Sequence, residues 1–230
     1  MRSRFPGELS AFLVVFLLSG FGPSASAGRF LTAPRFPNKA NPASVALADF
    51  NGDGNLDAVV VNAGFPFALG TTVSVLLGDG KGTFQAAVNY TVGSQPESVA
   101  VGDFNGDGKP DIAVANSGDS TVSVLLNNGD GTFQAAKNTA GGGLFLVVGD
   151  FNGDGKLDIA TIDVSALPNL TILLGHGDGT FTQGKSYTLT ARARALAVGD
   201  FNHDGKLDIV ATLGNTRCSW AMETDPSPAQ

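Results

Sequence analysis

Short runs of alternating or wholly apolar residues, each closed off by a polar glycine-rich stretch, recur along most of this chain. Ser98-Val99-Ala100-Val101-Gly102 alternates with a period of two, and Ile112-Ala113-Val114-Ala115 follows after a polar interval. Thr121 to Leu126 is a third run, and Thr132 to Ala136 begins a fourth. Runs of this length, rich in β-branched residues and bounded by Gly, Asn and Asp, predict strands. Similar runs appear upstream, in Leu56-Asp57-Ala58-Val59-Val60-Val61 and from Val73, and downstream from Leu170.

The polar intervals repeat as closely as the strands. Asp49-Phe50-Asn51-Gly52-Asp53-Gly54-Asn55-Leu56-Asp57 returns as Asp103 to Asp111, Asp150 to Asp158 and Asp200 to Asp208, at intervals of 54, 47 and 50 residues. Such periods signal solenoids, propellers or arrays. Four consecutive antiparallel strands in about 50 residues make one blade of a β-propeller. The fold expected is therefore all-β, with about three to four such blades forming a partial propeller.

Each polar interval places side-chain oxygens at positions one, three, five and nine, with glycine at six. Alternate oxygens in a glycine-turned loop are the first part of a calcium loop of the EF-hand type. Position twelve departs from that type, because Val60, Val114, Thr161 and Ala211 stand where a bidentate glutamate is due. The loop therefore closes on its ninth residue and joins two strands. In the first copy the expected ligands are Asp49, Asn51, Asp53 and Asp57, with the backbone carbonyl of Asn55. The second uses Asp103, Asn105, Asp107, Lys109 and Asp111, and the third Asp150, Asn152, Asp154, Lys156 and Asp158. The fourth uses Asp200, Asn202, Asp204, Lys206 and Asp208, each lysine again by its carbonyl. Asp, Asn and Gly also dominate ordinary turns, but a bare turn needs no carboxylate at the ninth position. Up to four structural Ca2+ ions are expected.

A second signature alternates with the first: Val73 to Phe84, Val122 to Phe133 and Leu170 to Phe181 each pass from a strand through a glycine-rich turn to a Phe. These turns suit hairpins that need positive φ. They lack the following helix and the Lys-Ser pair of a phosphate cradle. Small residues (Ala48, Gly102, Gly149, Gly199) precede each leading Asp, as expected of an innermost strand that crowds its neighbours. The second loop residue is always Phe (Phe50, Phe104, Phe151, Phe201), read here as a plug between adjacent blades. Gly28 to Ala33 parallels Gly82 to Ala87, so an outer strand is expected to open the first repeat. The repeats divide approximately as 28–81, 82–130, 131–178 and 179–215. Residues 216–230 form a divergent tail with no recognisable third strand for the last blade.

Arg2 and Arg4, an apolar run from Leu9 to Leu18 and small residues before a cut after Ala27 read as a secretory signal peptide over 1–27. No later stretch is apolar for the roughly 20 residues a membrane helix needs, so a secreted, extracellular or periplasmic protein is expected. The formal net charge of -7 argues against nucleic acid as a partner. Twelve of the 21 acidic residues lie in the four loops, so the acidity reads as metal sites. Cys218 alone cannot form an intrachain disulfide, which shifts the stabilising role toward metal and packing. His203 sits at the fourth loop position, which supplies no ligand, and His176 lies in a turn. No nucleophile or acid–base pair can be assembled from these residues, and an enzyme is not expected.

The sequence Asp-Phe-Asn-Gly-Asp-Gly-x-x-Asp, followed by a short strand and Leu-Leu-Gly-x-Gly-x-Gly-x-Phe, resembles the FG-GAP family, also described as VCBS repeats. The likeness runs from about Gly28 to Asn215. It implies blades like those of integrin α subunits, with calcium in the loop between the first two strands. Propellers of this type have more blades than this chain offers, which leaves ring closure open. The function expected is a calcium-binding extracellular interaction or adhesion module. Its partner would be an extracellular protein or a glycan, and incomplete blade edges would favour self-association. The alternatives are a lectin-like propeller and the non-catalytic portion of a larger extracellular enzyme.

Overall fold

The computed structural model describes residues 41–64, 70–163, 169–213 and 217–222. The signal segment and the expected outer strand at Gly28 to Ala33 lie outside these residues. The described residues contain strands and no helix, hence none long and apolar enough to cross a membrane.

The strands form four consecutive antiparallel sheets. The first contains β1 (Pro42–Ala48), β2 (Asp57–Asn62), β3 (Thr72–Leu76) and β4 (Val88–Thr91). The second contains β5 (Pro96–Gly102), β6 (Asp111–Asn116), β7 (Thr121–Leu125) and β8 (Lys137–Ala140). The third contains β9 (Phe145–Gly149), β10 (Asp158–Ile162), β11 (Asn169–Gly175) and β12 (Phe181–Thr188). The fourth contains β13 (Ala193–Gly199), β14 (Asp208–Leu213) and β15 (Arg217–Met222). Within every sheet the strands lie side by side in chain order. Leading strands are neighbours: β1 packs beside β5, β5 beside β9, and β9 beside β13. These are propeller blades, arrayed as a partial propeller.

Each junction between blades holds its own core, and the period-two alternation of the strands assigns residues to it. Ile112, Val114 and Leu125 of the second blade face Val59, Val61, Val73 and Val75 of the first. Their alternates Ala113, Ala115, Val122 and Val124 join Leu146, Ile159 and Leu173 of the third. Ala160, Ile162, Leu170 and Ile172 turn the other way, toward Ile209, Ala211 and Leu213 of the fourth. Because both faces of the second blade are covered, all six residues of β6 are buried. In β14 the alternates Val210 and Thr212 are only half-buried.

Two expectations are corrected. The fourth strand of the second blade begins at Lys137 rather than Thr132, because Phe133 makes only an isolated bridge to Asn127. Its ring turns into the junction instead of continuing the edge. In the third blade β12 does start at the corresponding Phe181. The last blade also has a third strand, since β15 pairs with β14 from Leu213↔Arg217 to Ile209↔Met222. A backbone ladder needs no repeat signature in its side chains, only an unpaired edge to join.

Candidate metal loops

The four acidic intervals each connect the first and second strands of a blade, and they share one hydrogen-bond pattern. Asp49 leads the first. Its Oδ1 accepts the N–H groups of Gly52 and Asp53 at 2.8 and 3.2 Å, and its Oδ2 accepts that of Gly54 at 2.8 Å. Asn51 Oδ1 accepts the Asp53 N–H at 3.0 Å, and Asp53 Oδ1 accepts the Asn55 N–H at 2.8 Å. Asn51 Nδ2 donates to Asp53 Oδ2 at 3.1 Å, which brings the third and fifth side chains into contact. The loop can curl this tightly because Gly52 and Gly54 take φ of 73° and 83°.

The pattern repeats around Asp103, Asn105 and Asp107, and around Asp150, Asn152 and Asp154. It repeats again around Asp200, Asn202 and Asp204. In that fourth loop His203 adopts φ of 62° where the others have glycine. Its side chain is exposed, as expected of a position that supplies no ligand.

The ninth position does something that the spacing does not reveal. Asp57 is fully buried, and its Oδ2 accepts the Phe50 N–H at 2.8 Å while its Oδ1 accepts the Gly78 N–H at 2.7 Å. Asp111 does the same with Phe104 and Asn127, and Asp158 with Phe151 and Gly175. Asp208 takes the first of these bonds, from Phe201 at 3.0 Å. The ninth carboxylate thus ties the start of the loop to the end of the third strand. That gives it a purpose with or without a metal, and removes the argument that a turn has no use for it. Among the described residues, no three His, Cys, Asp or Glu side chains gather as a metal-holding group.

The local electrostatics follow the same division. The Asn55 N–H, followed by Asn51, holds the exposed Asp53 carboxyl below its ordinary pKa. Desolvation works against Asp107, but the Lys109 N–H, Asn105 and the Lys109 ammonium, 3.3 Å away, together lower it. Burial raises Asp111, with the N–H groups of Asn127 and Phe104 opposing and the charges of Asp107 and Asp103 pushing the same way. Asp158 is raised for the corresponding reasons.

As a donor set each loop offers only oxygen: two carboxylates and an amide at positions one, three and five, and the carbonyl at seven. That chemistry fits a hard cation such as calcium. In the first three loops the ninth carboxylate has both oxygens on N–H groups, yet a carboxylate has about four acceptor sites, so a metal bond remains compatible with this brace.

Phe50, Phe104 and Phe151 are junction plugs, as the sequence suggests, whereas Phe201 is exposed, and the partners of the first two are the Phe residues of the glycine turns. Phe50 meets Phe133 edge-on, and Phe104 meets Phe181 likewise. The Phe50 carbonyl accepts the Gly131 N–H at 3.1 Å and Asn127 Nδ2 at 3.0 Å, while the Phe104 carbonyl accepts the Gly179 N–H at 2.9 Å. The glycine turns of the second and third blades are therefore clasps on the loop of the preceding blade. The invariant spacing of Gly-Thr-Phe behind each third strand was the available signal for this role.

The model of the FG-GAP-like repeat family matches residues 67–114, 103–161 and 150–211. Among solved structures, an Agrocybe aegerita lectin described as recognising non-reducing terminal N-acetylglucosamine is 24% identical, with a TM-score of 0.48. That likeness covers 72% of this chain and 45% of the lectin. A Photorhabdus luminescens Tc holotoxin pore is 17% identical with a TM-score of 0.37, over 78% of this chain and 11% of that one. The chain thus spans less than half the length of either. No curated protein matches it.

Proposed function

The chain belongs to the FG-GAP-like repeat family, and from that premise we propose that it is an exported interaction module whose blades are stabilised by calcium. The observation that carries this reading is the fourfold recurrence of one oxygen-only loop, with Asp, Asn and Asp at alternate positions around a left-handed glycine. In the first loop Asp49, Asn51, Asp53 and the Asn55 carbonyl would hold the ion, with Asp57 fixing the frame behind them. The corresponding residues would serve in the other three. A bound calcium would supply charge, offsetting the carboxylates that each loop crowds together. The residues themselves order the loop and clamp it to the next blade through the Phe carbonyl.

Export follows from the leader-like residues 1–27, and calcium is abundant outside cells. The surface of such a module would engage an extracellular protein or a glycan, with no catalytic step of its own. Isothermal calorimetry and thermal melts in calcium and in chelator test the metal. A site filled at 100 times its dissociation constant adds about 2.7 kcal/mol, so the melts should separate clearly. Superimposed melts and no binding heat would refute the calcium reading and leave the propeller intact.

A further inference from the structure

The exposed large apolar side chains are not scattered. Among the described residues they are Val45, Leu47, Leu56, Val88 and Phe201. Four of these five are positions that the inner blades bury or half-bury at a junction. Val45 corresponds to Val99, which lies in the core between the first and second blades, and Leu47 to Val101, which packs against it. Leu56 corresponds to Leu157 and Leu207, which lie over Gly102 and Gly149 of the blade before. Phe201 corresponds to Phe50 and Phe104, each capped by the next blade.

The two ends are therefore opposite halves of one interface. The first blade presents Val45, Leu47 and Leu56, at 62%, 56% and 62% exposure, on the side that would meet a preceding blade. It also presents Gly82, whose counterparts Gly131 and Gly179 crowd Leu77 and Leu126, while Gly82 faces open space. The fourth blade presents Phe201 at 51% exposure. Gly199 there meets only the Phe201 ring, lacking the leucine that covers Gly102 and Gly149.

We infer that the fourth blade of one chain docks on the first blade of a second copy. Leu56 of the first blade then covers Gly199, and the Gly82 N–H meets the Phe201 carbonyl. The contact continues the junctions already present within the chain, and it stands whether or not the loops hold calcium. It is head-to-tail, so two copies either close on each other or extend as a filament. Closure of two copies brings eight blades together, inside the range that propellers adopt.

Mixing variants tests this. The full chain is expressed with its own leader in an exporting host, its amino terminus read by mass spectrometry, and its mass followed by sedimentation and light scattering. Wild type should associate. Val45→Asp and Phe201→Asp should each weaken association at least tenfold, and Val88→Asp, on the outer strand, should not. An equimolar mixture of Val45→Asp and Phe201→Asp should regain a dimer, because one junction between them is intact. A monomeric wild type would mean that the ends meet within one chain, and would overturn the inference. So would a Val45→Asp variant that associates like wild type, which is tail-to-tail pairing, or a mixture that stays monomeric although both variants melt like wild type.

Discussion

The Phe50 and Phe133 rings meet edge-on, 5.3 Å between centroids and 76° between planes, across the junction of the first two blades. Edge-to-face pairs place a positive ring edge on a negative face and add about 0.5–1.5 kcal/mol beyond the area they bury. Tyr90 approaches Phe133 in the same manner at 5.4 Å, so one ring anchors a loop and an outer strand together.

Phe133→Ala should therefore destabilise the protein by about 3–5 kcal/mol, the usual cost of removing a buried Phe. A double-mutant cycle with Phe50→Ala should return a coupling of about 0.5–1.5 kcal/mol. Denaturant unfolding measures both. Additive losses would mean that the two rings do not interact beyond the surface each buries.

The plug was legible in the sequence because a large apolar ring recurring in a polar loop must be buried somewhere. Its partner was less so, since Phe133 reads equally well as the first residue of a strand. The ninth-position Asp was only half legible. A carboxylate facing a cation and one facing two N–H groups are the same letter at the same spacing, and only the fold shows that Phe50 and Gly78 point at Asp57. The blades themselves were legible because the unbroken apolar run in β6 and its counterparts is a direct consequence of two-sided burial. The strand Arg217–Met222 was not, because its pairing depends on the free edge of β14 rather than on its own residues.

His203 holds a left-handed φ of 62° where Gly52, Gly106 and Gly153 lie between 73° and 75°. A non-glycine residue there costs about 1–2 kcal/mol, against roughly 0.5–1 kcal/mol of extra chain entropy that a glycine loses on folding. His203→Gly should therefore stabilise the protein by about 0.5–1 kcal/mol, raising the melting temperature by about 1–4 °C for a domain this size. Gly52→His should do the reverse. A lower melting temperature for His203→Gly would show that the imidazole contributes more than strain.

Asp79 sits in the first glycine turn, where the Thr83 hydroxyl, then the Lys81 and Thr83 N–H groups, hold its pKa down to about 2. A depressed carboxyl stabilises the fold above its unfolded pKa, and that contribution is lost as pH falls through the folded value. Carboxyl NMR should place the Asp79 titration at about 2 in wild type and closer to 3.8 in Thr83→Ala. An unmoved titration in the variant would remove the hydroxyl as the main cause.

The fifth and ninth loop positions should respond differently to calcium. Asp57→Asn keeps the shape but turns an N–H donor toward either the Phe50 or the Gly78 N–H, leaving a buried donor without its acceptor. That costs about 1–3 kcal/mol, and the loss should appear in chelator as well as in calcium. Asp53→Asn keeps the oxygen that accepts the Asn55 N–H on an exposed loop, so in chelator its melt should match wild type within about 0.5 kcal/mol. In calcium it should fall behind, because one anionic ligand of that site is gone. Melts of both variants, each with calcium and with chelator, complete the comparison. Equal losses for Asp53→Asn in the two buffers would assign these loops to turns and leave Asp57 as a brace alone.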